Sequence, residues 1–314
     1  MGKTLAKTIS DATKTHLTQD NGLLFGQCVT AVGWVGGTIP ELTEEQGIVE
    51  LSMADVAGSG IAVGAALMGR RPIYVIRYQG FMWYNAAPLL NYAAKSKEMW
   101  GVPCPILVRS IAMEGAIGPV ASSAQHSMVM RMPGMPVCAP MTPKEWLDGW
   151  NWFKTHDDPL YMSEHRRGFT NEDEMQNIVH SDADVTIVAI SAARLNAIEA
   201  IDILMKEGIK CNLIHQYWLK PFKAGPDLLN ATRSTKLSVV IDADFELCGA
   251  SRSIAYELMH ETGKPVFALG VADKTAGFAP HLDNGTPSAQ QIVDHVKAIY
   301  EKEIKSPRRT NVAA

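Results

Sequence analysis

Cysteine is sparse in this chain. Its five residues, Cys28, Cys104, Cys138, Cys211 and Cys248, are odd in number and never form a Cys-x-x-Cys pair. That spacing argues against a disulfide framework and a thiolate zinc site, and reads as reduced thiols in a cytoplasmic protein. No apolar run reaches the roughly 18 residues a membrane span needs. Basic residues are not in excess: 29 Lys and Arg stand against 33 Asp and Glu, for a net charge of −4. Neither a nucleic acid nor an anionic membrane is the expected partner. The opening "MGKTLAKTIS" has no apolar segment behind its lysines, so it does not read as a secretory signal. Internal repeats and low-complexity segments are absent too.

What is present is enough apolar sequence for a large core and two domains: 314 residues, 46% hydrophobic. Residues 3–15 predict a first helix with Leu5, Ile9 and Ala12 near one face, ending at about His16. Strands are expected at 22–29, 48–53, 72–78, 103–110, 134–140 and 159–165, with a polar Gly/Pro-marked loop at 36–47. Helices are expected after residue 53, over 84–99 and over 142–156, the last with Thr142 as N-cap and Pro143 at the first position. A polar, aperiodic stretch at 166–184 reads as a linker. A second alternation follows, with strands at 185–190, 211–219, 237–244 and 265–271 and helices at 193–208, 224–234, 249–262 and 287–303. Strand–helix alternation in both halves predicts two α/β domains with mostly parallel sheets.

One stretch poses a question. Residues 51–72, "LSMADVAGSGIAVGAALMGRRP", are small or apolar up to the arginines, yet carry the carboxylate of Asp55. Gly58, Gly60, Gly64 and Ala65 let a helix approach a neighbour or a ligand closely. Tight packing alone would give the same pattern, and Asp55 could be no more than an N-cap.

The pieces "LFGQCV" (24–29), "MADVAGSGIAVGAALMGRRPI" (53–73), "IRYQGF" (76–81), "VPCPILVRS" (102–110), "AQHS" (124–127), "MPGMPVCAPMTPKEWLDG" (132–149), "YWLKPF" (217–222) and "GVADKTAGFAP" (270–280) run in order through both halves. In that order and spacing the chain resembles the β subunit of thiamine-diphosphate-dependent 2-oxo acid dehydrogenases, equivalent to the C-terminal part of transketolase. The resemblance implies a pyrimidine-binding α/β domain (1–165), the linker (166–184) and a smaller transketolase C-terminal-like α/β domain (185–314).

It also implies roles. Asp55 occupies the slot of a glutamate that hydrogen-bonds the cofactor pyrimidine and promotes its activating tautomer; a carboxylate in a dry cleft suits that task. Aspartate is one methylene shorter, and a misplacement of about 1 Å can cost roughly 100-fold in rate. Phe81 falls where an aromatic ring stacks on the pyrimidine, with Tyr78 and Trp83 as neighbours able to line the cleft. His126 matches a substrate-facing proton-transfer histidine, with Ser122, Ser123 and Gln125 as polar contacts. Gln27 stands where the family often has a glutamate, near the cofactor. No metal ligand is expected in this chain. The family's Gly-Asp-Gly…Asn motif for magnesium and diphosphate belongs to a partner α subunit and is missing here, so the implied assembly is an α2β2 heterotetramer with Mg2+ held mainly by the α chain.

Two other polar spots stay open between binding and structure: Arg166 with Arg167 as an anion site or a solvated linker start, and Asp242, Asp244 and Glu246 as an interface element. Two functions remain in competition. One is a working subunit acting on a 2-oxo acid or a ketose. The other is a non-catalytic scaffold that kept the fold and its assembly surfaces.

Overall fold

A computed structural model describes residues 2–305; the last residues of the expected second domain, 306–314, lie outside the described residues. The chain runs α1 (Leu5–Gln19), β1 (Leu23–Gly26), α2 (Ala31–Gly37), β2 (Ile48–Glu50), α3 (Asp55–Leu67), β3 (Pro72–Ile76), α4 (Met82–Ala86), α5 (Ser96–Trp100), β4 (Leu107–Ala112), α6 (His126–Met130), β5 (Val137–Cys138), α7 (Pro143–Thr155) and β6 (Leu160–His165). It continues with β7 (Val185–Ile190), α8 (Ala193–Lys206), β8 (Cys211–Gln216), β9 (Trp218–Lys220), α9 (Pro226–Ser234), β10 (Leu237–Phe245), α10 (Ala250–Thr262), β11 (Val266–Val271) and α11 (Ala289–Tyr300). Two compact units result. Of the described residues, the first holds 2–175 and takes in 217–223 and 272–285 from further along the chain; the second holds 176–216, 224–271 and 286–305.

The first unit is built on a seven-stranded sheet of order β2-β1-β3-β4-β6-β5-β9, parallel except for β9. One face carries α1 and α7. Leu5 and Ile9 of α1 and Trp146, Trp150 and Phe153 of α7 join Leu24, Ile73, Val75, Leu107, Leu160 and Met162 in one buried cluster. The stripe Leu5, Ile9, His16 is therefore a true core face, but the helix runs on to Gln19. His16 is sealed, its Nε2 2.7 Å from the Arg71 carbonyl and its ring edge-on to Trp150 and Phe153. Helix α7 begins as expected, with the Thr142 hydroxyl accepting from the Glu145 N–H at 3.4 Å and Pro143 at its first position.

Prolines explain most departures from the expected elements. The helix expected over 84–99 is broken: α4 passes into a π-helical stretch, Ala87–Tyr92, and a 3-10 turn before α5. Pro88 lies in that stretch and cannot donate to the i−4 carbonyl. The strand expected from 103 starts only at Leu107, because Pro103 and Pro105 have no N–H for the ladder. Between Pro136 and Pro140 only Val137–Cys138 pairs. The apolar run 211–219 divides at Tyr217 into β8 and β9, which belong to different sheets. Short α2 was not expected; Gly33 to Gly37 all lie at positive φ there, a conformation that glycine tolerates and other residues resist.

The second unit is a four-stranded parallel sheet of order β11-β10-β7-β8. Ala197, Ala200 and Leu204 of α8 and Ile292, Val293 and Val296 of α11 pack on Ile187, Leu213 and Val239. Its helices lie close to their sequence-predicted spans, and α11 starts at a capping box of Ser288 and Gln291.

Candidate active site

In open parallel sheets, ligands sit beyond the carboxyl ends of the strands where the winding reverses. In the first unit β1 has β2 on one side and β3 on the other. The chain leaves β1 for β2, then crosses back to β3, so the reversal falls at the carboxyl end of β1. A cavity of about 160 Å³ opens there. Gln27 and Cys28 follow the last residue of β1, Asp55 opens α3 after β2, and Arg77, Tyr78 and Phe81 follow β3; all line the cavity, with Tyr74 and Asn85. The fold thus gathers Gln27, Asp55, Tyr78 and Phe81 from three loops.

Asp55 is the first residue of α3, not its cap. The N-cap is Ala54, which offers no side-chain bond. The carboxylate is half-buried, more open than the sequence reading expected. Its Oδ1 accepts a 2.8 Å hydrogen bond from Asn85 Nδ2. Asn85 is 1% exposed; its Nδ2 also donates to the Phe81 carbonyl at 2.9 Å, and its Oδ1 accepts from the Tyr74 hydroxyl at 2.7 Å. Burial, and then the nearby Asp55 charge, push the Tyr74 pKa up, so the phenol keeps the proton it donates. Gly58 makes this packing possible. A Cβ there would meet the Tyr74 hydroxyl and Leu51, each at 3.2 Å.

The rest of the wall is aromatic and cationic. Phe81 is flanked by Tyr78 and Tyr84, with ring centroids 6.2 and 6.4 Å away. Arg77 lies 5.4 Å from the Tyr78 ring centroid. Gln27 Nε2 is buried with no hydrogen-bond partner, a costly state unless a ligand accepts from it.

His126 does not line this cavity. It is fully buried at the start of α6, with Nδ1 3.1 Å from Ser163 Oγ. Gln79, next in sequence to Tyr78, bridges the two places. Its Nε2 donates to Ser163 Oγ (2.7 Å) and the Ser110 carbonyl (3.0 Å), while its Oε1 accepts from the Gln125 N–H (2.6 Å). Ser163 accepts from Gln79, so its own proton can go to His126. His165, 1% exposed in the same region, has its pKa lowered to about 4, by burial first and then by the Arg167 and His126 charges against the pull of Glu114. Trp83 is an exposed ring whose Nε1 reaches Gln125 Oε1 at 3.2 Å. Ser122 donates to the Gly115 carbonyl, a loop contact.

The remaining candidates lie apart from this cavity. Arg167 pairs with Glu114 at 2.8 Å and Arg166 donates to Met113 Sδ, so the two arginines do not converge on one point. Asp242 and Asp244 are buried in β10, and Glu246 pairs with Arg252 at 2.6 Å. A larger cavity of about 420 Å³, between α10, α11 and β11, takes in only Glu246 of the candidates. Among the described residues no three His, Cys, Asp or Glu side chains form a metal-binding group, and no helix is long and apolar enough to cross a membrane. The sequence reading missed Asn85, Tyr74, Gln79 and Arg77. Only Arg77 and Gln79 had a signal, as polar residues directly after a buried strand.

A parallel sheet with a half-open carboxylate, an orphan amide donor and an aromatic wall at its winding reversal defines a ligand-binding α/β domain followed by a second α/β domain. Residues 3–170 match the transketolase pyrimidine-binding domain and residues 175–292 the transketolase C-terminal domain; the chain belongs to this family. Among relatives, it is 27% identical to the acetoin:2,6-dichlorophenolindophenol oxidoreductase β subunit of Cupriavidus necator, over 74% of this chain and 73% of that one. It is 24% identical to the pyruvate dehydrogenase E1 component β subunit of Rickettsia felis, over 94% of this chain and 98% of the other. A solved split-gene transketolase, described as an inactive β4 tetramer, shares the fold with a TM-score of 0.69 at 17% identity, covering 95% of this chain and 98% of that one.

Proposed function

We propose that this chain is the β subunit of a heteromeric thiamine-diphosphate-dependent enzyme acting on a 2-oxo acid or a ketose, by decarboxylation or by acyl or ketol transfer. The observation that carries the proposal is the pairing of two groups in one cavity: the half-exposed Asp55 carboxylate, with only Oδ1 hydrogen-bonded among the described residues, and the buried Gln27 Nε2, which has no partner among them. An acceptor, a donor and an apolar face suit the edge and plane of an aminopyrimidine. At about 160 Å³ the cavity is roughly half the lower end of ordinary ligand pockets. It has room for one substituted ring, and the diphosphate and Mg2+ fall to the partner α subunit.

When bound, thiamine diphosphate supplies a carbon nucleophile and a sink for the electron pair released at a carbonyl. This chain's residues do the rest. Asp55 Oδ2 would hold and return a proton at a nitrogen of the bound ring. Gln27 donates to the same ring, and Phe81 and Tyr78 fix its plane and exclude water. His126 is proposed as the proton-transfer group for the substrate oxygen on its motif alone; its burial argues for a smaller effect than that of Asp55.

The surface beside the cavity supports assembly. Met53, Val56, Ile61 and Met68 around α3, and Trp83, Tyr84 and Trp100 on α4 and α5, are apolar and more than half exposed. Large apolar areas of this kind mark subunit contacts, consistent with an α2β2 complex. Trp218 is half-buried against the first unit's own core.

The test is to co-purify the chain with the product of an adjacent gene carrying the Gly-Asp-Gly…Asn motif and to assay bound thiamine diphosphate. The complex should retain it. The isolated chain should bind no tighter than about millimolar, or roughly −4 kcal/mol. Micromolar binding by the chain alone overturns the shared site; a complex that binds none supports the scaffold reading.

A further inference from the structure

We propose that Asn85 is a positioning residue that commits one oxygen of Asp55 to the protein and presents the other to the bound ring, an inference that rests on the function proposed above. Aspartate in place of a longer side chain has less reach and needs firmer placement. Asn85 supplies it. Its amide has no spare hydrogen-bonding capacity on the donor side: one N–H goes to Asp55 Oδ1 and one to the Phe81 carbonyl. The Asp55 carboxylate and the Phe81 carbonyl can only accept, so they decide which way round the amide lies, and the Tyr74 hydroxyl then donates to Asn85 Oδ1. Were the amide reversed, its oxygen would face the Asp55 carboxylate and the Phe81 carbonyl, and both of those bonds would be lost. The network therefore ties the carboxylate of α3 to the backbone of the Phe81 wall, the two sides between which a flat ring would lie. Asn85 lines the cavity but is 1% exposed, and its amide is committed to Asp55, Phe81 and Tyr74, so it acts through Asp55.

A packing role and a positioning role predict different results in a double-mutant cycle. The cycle uses the assembled complex and thiamine diphosphate with Mg2+ as the probe, and reads the dissociation constant by calorimetry and the near-ultraviolet circular dichroism of the bound ring. With Asp55 intact, Asn85→Ala should weaken binding at least about 10-fold and alter the dichroism, consistent with loss of a hydrogen bond to a charged group. In an Asp55→Ala background the same change should cost less than about 2-fold. Tyr74→Phe keeps the packing and removes only the bond to Asn85 Oδ1; it should weaken binding by a smaller factor, again only when Asp55 is present. That variant decides the matter if Asn85→Ala does not fold. Equal losses with and without Asp55, or no loss, overturn the positioning role while leaving the proposed function standing. If the unaltered complex binds no thiamine diphosphate, both fall.

Discussion

Two carboxylates of the first unit, on opposite faces of one sheet, have opposite fates. Glu164 of β6 is 1% exposed and saturated. Its Oε1 accepts from Arg109 Nε and from Trp146 Nε1, and its Oε2 from Arg109 Nη2, all at 2.8 Å. Asp55 is half-open, with one oxygen held by Asn85 and one without a protein partner. A buried carboxylate closed by a bidentate arginine and an indole can only hold the fold together. A carboxylate with one oxygen open in a cavity is the kind of group the proposal above assigns to a ligand. Saturation, more than burial, separates structure from function here.

The contrast can be broken from either side. Glu164→Ala leaves Arg109 buried and unpaired, and should destabilise the chain by about 3–5 kcal/mol; denaturant unfolding measures it, and a loss under 1 kcal/mol would make the pair dispensable. Asp55→Ala should leave the unfolding midpoint within about 1 kcal/mol of the parent yet lower turnover of the assembled complex at least about 100-fold, near 2.7 kcal/mol of transition-state stabilisation. Asp55→Glu should keep or raise turnover. Full activity in Asp55→Ala would reduce Asp55 to a helix-start residue.

His165 sharpens the same comparison through pH. Its folded pKa, about 4, lies below the unfolded value near 6.5. Between those values the unfolded chain binds more protons. The stability it contributes is therefore complete above about pH 6.5 and is lost as pH falls towards 4. A His165→Gln variant should show a shallower loss of stability over that window by chemical denaturation; an unchanged slope would place the titration elsewhere. The smallest effect belongs to Thr142, which caps α7 and also bonds Glu174. Thr142→Ala should cost about 1 kcal/mol of stability and leave cofactor affinity unaltered; a change in affinity would connect α7 to the cavity.

The amino-acid order alone determined the two α/β halves, the start of α7 at Thr142–Pro143, the strand Val185–Ile190 and the placement of Asp55 at the head of a small-residue helix. Those features rest on periodicity, caps and turn residues, which act within a few residues of one another. The sequence also singled out Gln27, Asp55, Tyr78 and Phe81, though only their family pattern joined them. Their convergence on one cavity came from strand order: β1 lies between β2 and β3, and no local pattern encodes which strand sits beside which. The break at Tyr217 that sends β9 to the first sheet was illegible for the same reason. Asn85 and Tyr74 carried no signal at all, because a buried asparagine and a strand tyrosine become a clamp only when α3, β3 and α4 stack. The sealing of His126 was likewise invisible, since burial at that position depends on Gln79, Ser163 and the loop before α6 meeting from distant parts of the chain. Local interactions set the elements; long-range packing decided which polar groups were satisfied and which were left open.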